Sequence, residues 1–412
     1  RLLRQMKANR FSITEEPDQA DTVIINTCGF IEAAKQESID TILEAVSLKK
    51  EGKLKEVVVA GCLSERYAEE LKLDIPEADA FFGTEKYEEI LHHLGGELQY
   101  ELLGERLLTG PTHTAYLKIS EGCNHPCSFC AIPLMRGKHV SRPMDDLIRE
   151  AEFLARNHTK ELVIIAQDTT DYGNDLYGEP KIAELLTKLS EIEGIEWIRL
   201  MYAYPSKFPD NLIDVIATNP KVLKYIDIPL QHISDPVLKS MRRGISSKRT
   251  KELMHKLRKR IPGLVLRTTL ITGYPAETEA DFEELCAFIE DVKFERLGVF
   301  TFSVEENTTS ILLGDPISEK EKLRRKKKLM KIQQQISAAH NEALIGDRLR
   351  VMIDRVEGEH YIARSYRDAP EVDGEILIPV GEKKLKTGKF YDVIITGAED
   401  YDLFAHIAKE QP

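Results

Sequence analysis

Strand-like and helix-like patterns alternate six times between about residues 111 and 338, and this regularity restricts the fold more than any other feature of the chain. "AYLKIS", "LVIIAQD", "WIRLMYAYP", "YIDIPLQ", "LVLRTTLITG" and "RLGVFTFS" are short apolar runs rich in β-branched residues. "MDDLIREAEFLARN", "DNLIDVIATN", "KRTKELMHKLRKR" and "EADFEELCAFIEDV" carry helical periodicity between them. Six serial βα units are expected to form a parallel barrel, closed or partly open. Functional groups then sit on the loops that follow the strand C-termini.

A chain of 412 residues is too long for one core, and the composition changes on both sides of this repeat. Residues 1–110 also alternate helix and strand. "DTVIINTCGF" and "KEVVVAGC" read as buried strands of a parallel sheet with covered faces, each ending in a cysteine, Cys28 and Cys62. Ligands of open α/β sheets gather at the carboxyl ends of strands, so these two cysteines are expected in one pocket. Residues 341–412 hold five short strand patterns separated by glycine turns, which predicts a small antiparallel barrel. A long charged helix, opened by a capping box from Ser318 to Glu321, joins it to the repeat. The basic cluster Arg324–Lys328 on that helix is either a solvated face or a contact for an acidic partner. The domain organisation expected is therefore 1–110, 111–338 and 341–412.

Six cysteines in this length do not make a secreted disulfide scaffold, and a reducing, cytoplasmic setting fits them better. No apolar run approaches the ~18 residues of a membrane span, and no signal-peptide pattern is present. A net charge of −12 argues against a general nucleic-acid binder. No Walker motif, dinucleotide fingerprint or HExxH pair occurs.

The chemistry concentrates in "ISEGCNHPCSFCAIP", where Cys123, Cys127 and Cys130 follow the first strand of the repeat. Three readings are open. A zinc ion would need a fourth ligand such as His125 or His139. The cysteines could be unmetallated. Alternatively, three thiolates hold an iron–sulfur cubane and leave one iron open for a substrate or cofactor.

The spacing resembles the radical S-adenosylmethionine superfamily, in which the open iron chelates the cofactor's amino and carboxylate groups. That resemblance implies a partial parallel barrel carrying one 4Fe–4S cluster on Cys123, Cys127 and Cys130. It also implies S-adenosylmethionine, cleaved to a 5′-deoxyadenosyl radical that abstracts hydrogen from carbon. Phe129 matches the aromatic position that meets adenine. Gln167 and Asp168 in "AQDTT" match polar groups at the cofactor's amino end. Gly273 and Glu277 in "LITGYPAET" match a glycine-containing strand motif, although a tight turn and a helix N-terminal charge explain them equally.

"NTCGFIEAAKQES" and "AGCLSERY" resemble the N-terminal domain of the methylthiotransferases, which holds an auxiliary 4Fe–4S cluster through three cysteines. Cys28 and Cys62 match two of them. The third is absent from the sequence and is expected upstream of Arg1, in a segment missing here. Cys286 shares an apolar stripe with Phe282, Leu285 and Ile289 and is expected in the core.

Within this family "GCNHPCSFCAIPLMRGKHVSRP", "DIPLQHISDPVL" and "RSYRDAPEVDGEI" are similar to the RimO-type branch, which modifies an aspartate of ribosomal protein S12. The alternative branch modifies tRNA adenosine. The last stretch lies in a domain resembling TRAM, and His340–Pro412 carries 15 acidic against 10 basic residues. Such a surface, with Asp368, Glu371 and Asp373 as candidate partner contacts, suits a basic protein better than tRNA, which is not expected to bind. Ordinary solubilising charge is the plainer explanation for any one of them. Gln231 and His232 end a strand and are candidate rim residues, or structural ones. The resemblance also implies a reducing electron donor such as flavodoxin, and leaves open an accessory protein that presents the substrate. A zinc-stabilised adaptor for basic ribosomal proteins is the non-enzymatic rival.

Overall fold

The run "EVVVAG" is buried along almost its whole length because Glu56–Gly61 is the central strand of a parallel sheet, flanked by Thr22–Thr27 and Ala80–Phe82. Helices Glu32–Lys50 and Cys62–Asp74 cover one face, packing Ile42, Val46 and Leu63 onto Val57 and Val59. Met6, Ile90 and Leu91 cover the other, against Ala60. The computed structural model describes residues 1–102, 105–381 and 384–409.

The six serial strands are Thr114–Lys118, Glu161–Ile165, Trp197–Leu200, Val222–Asp227, Val265–Thr272 and Arg296–Thr301. They pair in chain order, all parallel, and the sheet stays open at its first and last strands. Strand alternation sorts its two faces. Leu117, Leu162, Ile164, Leu200 and Leu266 point to a helix layer that includes Leu147, Ile213, Leu257 and Phe282. Cys286 is buried in the same layer, as its stripe predicts.

Val163, Trp197, Tyr225 and Val265 point the other way and meet Met352 and Ala369 of the C-terminal domain. That domain is a closed barrel of Arg348–Glu357, His360–Ser365, Ile376–Pro379, Leu403–Ile407 and Phe390–Ala398. Four of its pairings are antiparallel, and Ile376–Pro379 closes in parallel on Leu403–Ile407. Helix Glu319–Glu342 links the two sheets. Ser318 caps it by accepting from the Glu321 amide, but the Glu321 carboxylate does not complete the capping box; it pairs with Arg324 and Arg325.

Two of the three candidate partner contacts of the small barrel, Asp368 and Asp373, face inward. Asp368 pairs with Arg296 and accepts from Ser365 Oγ, 2.9 Å away. Asp373 pairs with Arg267 at 3.4 Å and accepts from Tyr225 Oη at 2.6 Å. Both side chains are at most 3% exposed. The expectation of a partner-facing surface therefore fails at Asp368 and Asp373, whose charges are matched by arginines of the large sheet. Glu371 is exposed and accepts from Tyr116 Oη at 3.2 Å.

Candidate active site

A cavity of about 480 Å³ opens where the carboxyl ends of the six strands converge. Each strand or its following loop contributes: Lys118 from the first, Gln167 from the second, Tyr202 and Tyr204 from the third, Gln231 from the fourth, Thr269 and Phe300 from the last two. The loop with Cys123, Cys127, Phe129 and Cys130 forms one wall, and Phe30 of the N-terminal domain also lines the cavity. This size suits a small-molecule cofactor.

The loop is held from several sides. Gly122 has φ +78° and lies so close to the Lys138 carbonyl that a Cβ would clash. The Cys123 amide donates to the Gly137 carbonyl at 3.1 Å, and the Ser128 amide to the Met241 carbonyl at 3.1 Å. Arg243 donates to Cys127 Sγ at 3.3 Å and stacks on Tyr204. Burial pushes the Cys123 thiol up to about 11 and the Cys130 thiol up to about 12. A thiolate at Cys123 or Cys130 is therefore stabilised by nearby positive charge that offsets its desolvation.

Both histidines use Nε2 within the protein, while His139 Nδ1 is buried without a partner. His125 places Nε2 2.6 Å from Asp168 Oδ2 and stacks on Tyr204, while His139 is buried with Nε2 3.1 Å from Ser141 Oγ. Among the described residues no three His, Cys, Asp or Glu side chains converge as ligands of a single ion would.

Of the other residues singled out in the sequence, Phe129, Gln167 and Gln231 line the cavity, and Oε1 of both glutamines is buried without a partner. Gln231 reaches this position through a left-handed backbone, φ +74°. Asp168 faces away and accepts from the Thr170 amide at 2.8 Å. Gly273 packs against Lys322, where a Cβ would clash, and Glu277 folds back to accept from the Gly273 and Tyr274 amides and to pair with Arg325 at 3.2 Å. These two fasten the fifth strand to helix Glu319–Glu342. His232 is fully buried, and its Nδ1 accepts from the Ser234 amide at 3.1 Å. Asp168, Gly273, Glu277 and His232 are thus supporting residues, not cavity walls.

Cys28 and Cys62 follow register neighbours, Thr27 and Gly61. Gly29 presses so closely on the Cys62 backbone that a Cβ would lie 2.8 Å from its carbonyl oxygen. Cys62 packs in turn against Ala131, the residue after Cys130. Neither Cys28 nor Cys62 lines the cavity; the contact of Cys62 with Ala131 joins the N-terminal domain to the cysteine loop.

The Radical SAM superfamily matches residues 117–289, the TRAM domain matches 345–408, and Uncharacterized protein family UPF0004 matches 1–83. The ribosomal protein uS12 methylthiotransferase RimO of Chloroherpeton thalassium is 51% identical over 98% of this chain and 94% of its own. The chain belongs to the RimO family. The RimO proteins of Porphyromonas gingivalis and Cytophaga hutchinsonii are 50% and 48% identical, over 98% and 99% of this chain and 94% of each relative. The radical S-adenosylmethionine methyltransferase TsrM of Kitasatospora setae shares the fold at TM-score 0.53 and 13% identity, over 83% of this chain and 68% of its own. A radical S-adenosylmethionine enzyme carries a 4Fe–4S cluster and S-adenosylmethionine, and three thiols lining the cavity beside two unpartnered carboxamide oxygens fit that pair of groups.

Lys118, Tyr202, Tyr204 and Arg243 were not singled out in the sequence of this RimO-family chain. The rule that marks Gln231, a polar side chain at a strand end, reaches Lys118 and the "MYAYP" tyrosines equally well. Arg243 follows the short helix Asp235–Ser240, and no local pattern points it at a cysteine. No helix of the described residues is long and apolar enough to cross a membrane.

Proposed function

We propose that this chain methylthiolates the β-carbon of an aspartate of ribosomal protein uS12, with Cys123, Cys127 and Cys130 holding the radical cluster and Cys28 and Cys62 two of the three ligands of an auxiliary one. The observation that supports this reading is the packing of Cys62 on Ala131, which brings a cysteine-bearing strand end of the N-terminal domain against the loop of the first three cysteines. When bound, the clusters and S-adenosylmethionine supply the electron, the hydrogen-abstracting radical, the sulfur and the methyl group.

The chain's own part is positioning. Phe129 offers an aromatic face for adenine, and Gln167 and Gln231 offer unpaired carboxamide groups to the polar end of the cofactor or the substrate. Tyr204 and Arg243 hold the Cys127 side chain in place, with Tyr204 Oη 3.7 Å and Arg243 Nη1 3.3 Å from its sulfur. Phe30 and Tyr202 narrow the mouth and limit water. Asp168 fixes His125, and His125 supports the Tyr204 ring. A ribosomal protein substrate places the reaction in the cytoplasm, with a reductant such as flavodoxin as electron source. An accessory protein that presents uS12 is compatible with the open mouth.

Partial reactions test the assignment. With Cys123, Cys127 or Cys130 replaced by Ala, reductive cleavage of S-adenosylmethionine stops. With Cys28 or Cys62 replaced, cleavage continues and sulfur insertion stops. Sulfur insertion that survives loss of Cys28 and Cys62 would remove the auxiliary site.

A further inference from the structure

The geometry points to Arg136 as a positioning residue that tunes the auxiliary cluster through the sulfur of Cys62. The inference rests on the reading of Cys62 as a cluster ligand. Arg136 ends the short helix Ile132–Arg136, which begins two residues after Cys130, so it belongs to the radical-cluster loop by sequence. Its guanidinium nevertheless leaves that loop and donates through Nη2 to Cys62 Sγ at 3.2 Å. Nη1 donates to Glu121 Oε1 at 2.8 Å, which fixes the plane of the guanidinium. Glu121 is bound in turn by Lys118, and Lys118 reaches Glu85 of the N-terminal domain at 2.6 Å. The Met135 carbonyl accepts from Thr84 Oγ1 at 3.2 Å, and Met135 itself packs beside Cys62. Arg136 is therefore held in place on both sides of the domain junction.

A charged N–H donor on a ligand sulfur draws electron density from it and favours the reduced, more negative state of an iron–sulfur cluster. Cys127 has the equivalent donor in Arg243, so each cysteine set carries one guanidinium on one sulfur. Because Arg136 donates to Cys62 and to none of the three loop cysteines, its charge acts most strongly on the Cys62 side.

The test uses the full-length protein, reconstituted anaerobically, with Cys123, Cys127 and Cys130 replaced by Ala so that only the auxiliary site is filled. About four irons are expected in this background; none would overturn the cluster reading itself, separately from the role of Arg136. Into it go Arg136→Gln and Arg136→Lys, with the potential followed by electron paramagnetic resonance during redox titration. Arg136→Gln is expected to retain the irons and to lower the reduced-to-oxidised ratio at fixed potential about tenfold, about 59 mV for one electron. Arg136→Lys is expected to recover part of the shift. An unchanged potential in Arg136→Gln would overturn the proposal. So would loss of the irons in both variants, which would make Arg136 a structural support only.

Discussion

Glu161 of the large sheet and Arg364 of the small barrel pair at 3.0 Å with side chains at most 5% exposed. Arg199, itself fully buried, donates to the other Glu161 oxygen at 2.8 Å. Burial pushes the Glu161 carboxyl up, but the two guanidinium groups outweigh it and hold it below its ordinary range. A carboxyl depressed in the folded state stabilises the fold above its unfolded value, and that contribution is lost as pH falls through the folded one. The docking of the two domains therefore depends on charges that neither buries alone.

Arg364→Met leaves Glu161 and Asp354 each short of a partner in the interface. Removing one member of a buried pair costs about 3–5 kcal/mol, and a clear fall in the calorimetric unfolding midpoint is expected. The double variant with Glu161→Gln should cost less than the two single changes added. An unchanged midpoint in Arg364→Met would show that the apolar contact of Trp197, Tyr225 and Met352 suffices.

His232 gives the protein a second pH dependence. Burial lowers its imidazole to about 4, against a small opposing influence of Asp281. The unfolded chain then takes up a proton between pH 6.5 and about 4 while the folded one does not. Stability is full above that window and falls by up to about 3 kcal/mol as pH drops through it. His232→Asn keeps an acceptor for the Ser234 amide and should flatten this part of the profile of unfolding midpoint against pH. An identical profile would contradict the assignment.

Gly29→Ala tests the geometry of the auxiliary site. The added methyl would meet the Cys62 carbonyl and the Leu63 amide at 2.8 Å, so the backbone carrying Cys28 must move away from Cys62. Iron in the full-length protein should fall from about eight to about four per chain, with S-adenosylmethionine cleavage retained. Eight irons in the variant would show that the two strand ends tolerate separation.

Glu305, 3% exposed, pairs with Lys35 at 3.1 Å and Arg66 at 3.5 Å, and Arg66 also donates to the Gly29 carbonyl at 2.8 Å. This strut ties the Cys28 loop to the segment after the last strand of the sheet. Glu305→Gln removes the paired carboxylate of Arg66 and one of the two that pair with Lys35. Amide hydrogen exchange should accelerate over Gly29–Ile31 and Cys62–Tyr67 and stay unchanged in the small barrel. Unchanged exchange at the first two segments would rule the strut out.

The architecture was legible because its signals are local. Six alternations of short apolar runs and helical patterns specify a serial parallel sheet, and the Cys123–Cys130 spacing places three sulfurs on the loop after its first strand. Strand ends also pointed to Cys28, Cys62 and Gln231, and the resemblance of "AQDTT" to Gln167. The same rule overreached at His232, since adjacent residues point to opposite sides and only Gln231 turns to the cavity. Asp368 and Asp373 looked like surface because no local pattern reveals that Arg296 and Arg267 lie opposite them in another domain. Arg136 was invisible for the same reason: its partner is 74 residues away.

Product analysis tests the central claim most directly. The full-length enzyme, reconstituted with iron and sulfide and supplied with reductant and S-adenosylmethionine, is offered uS12 and unmodified tRNA together, and both are analysed by mass spectrometry. A methylthio group on one uS12 aspartate, with tRNA unchanged, is the predicted result. Methylthiolated adenosine with unmodified uS12 would contradict it and transfer the chain's chemistry to the nucleic acid.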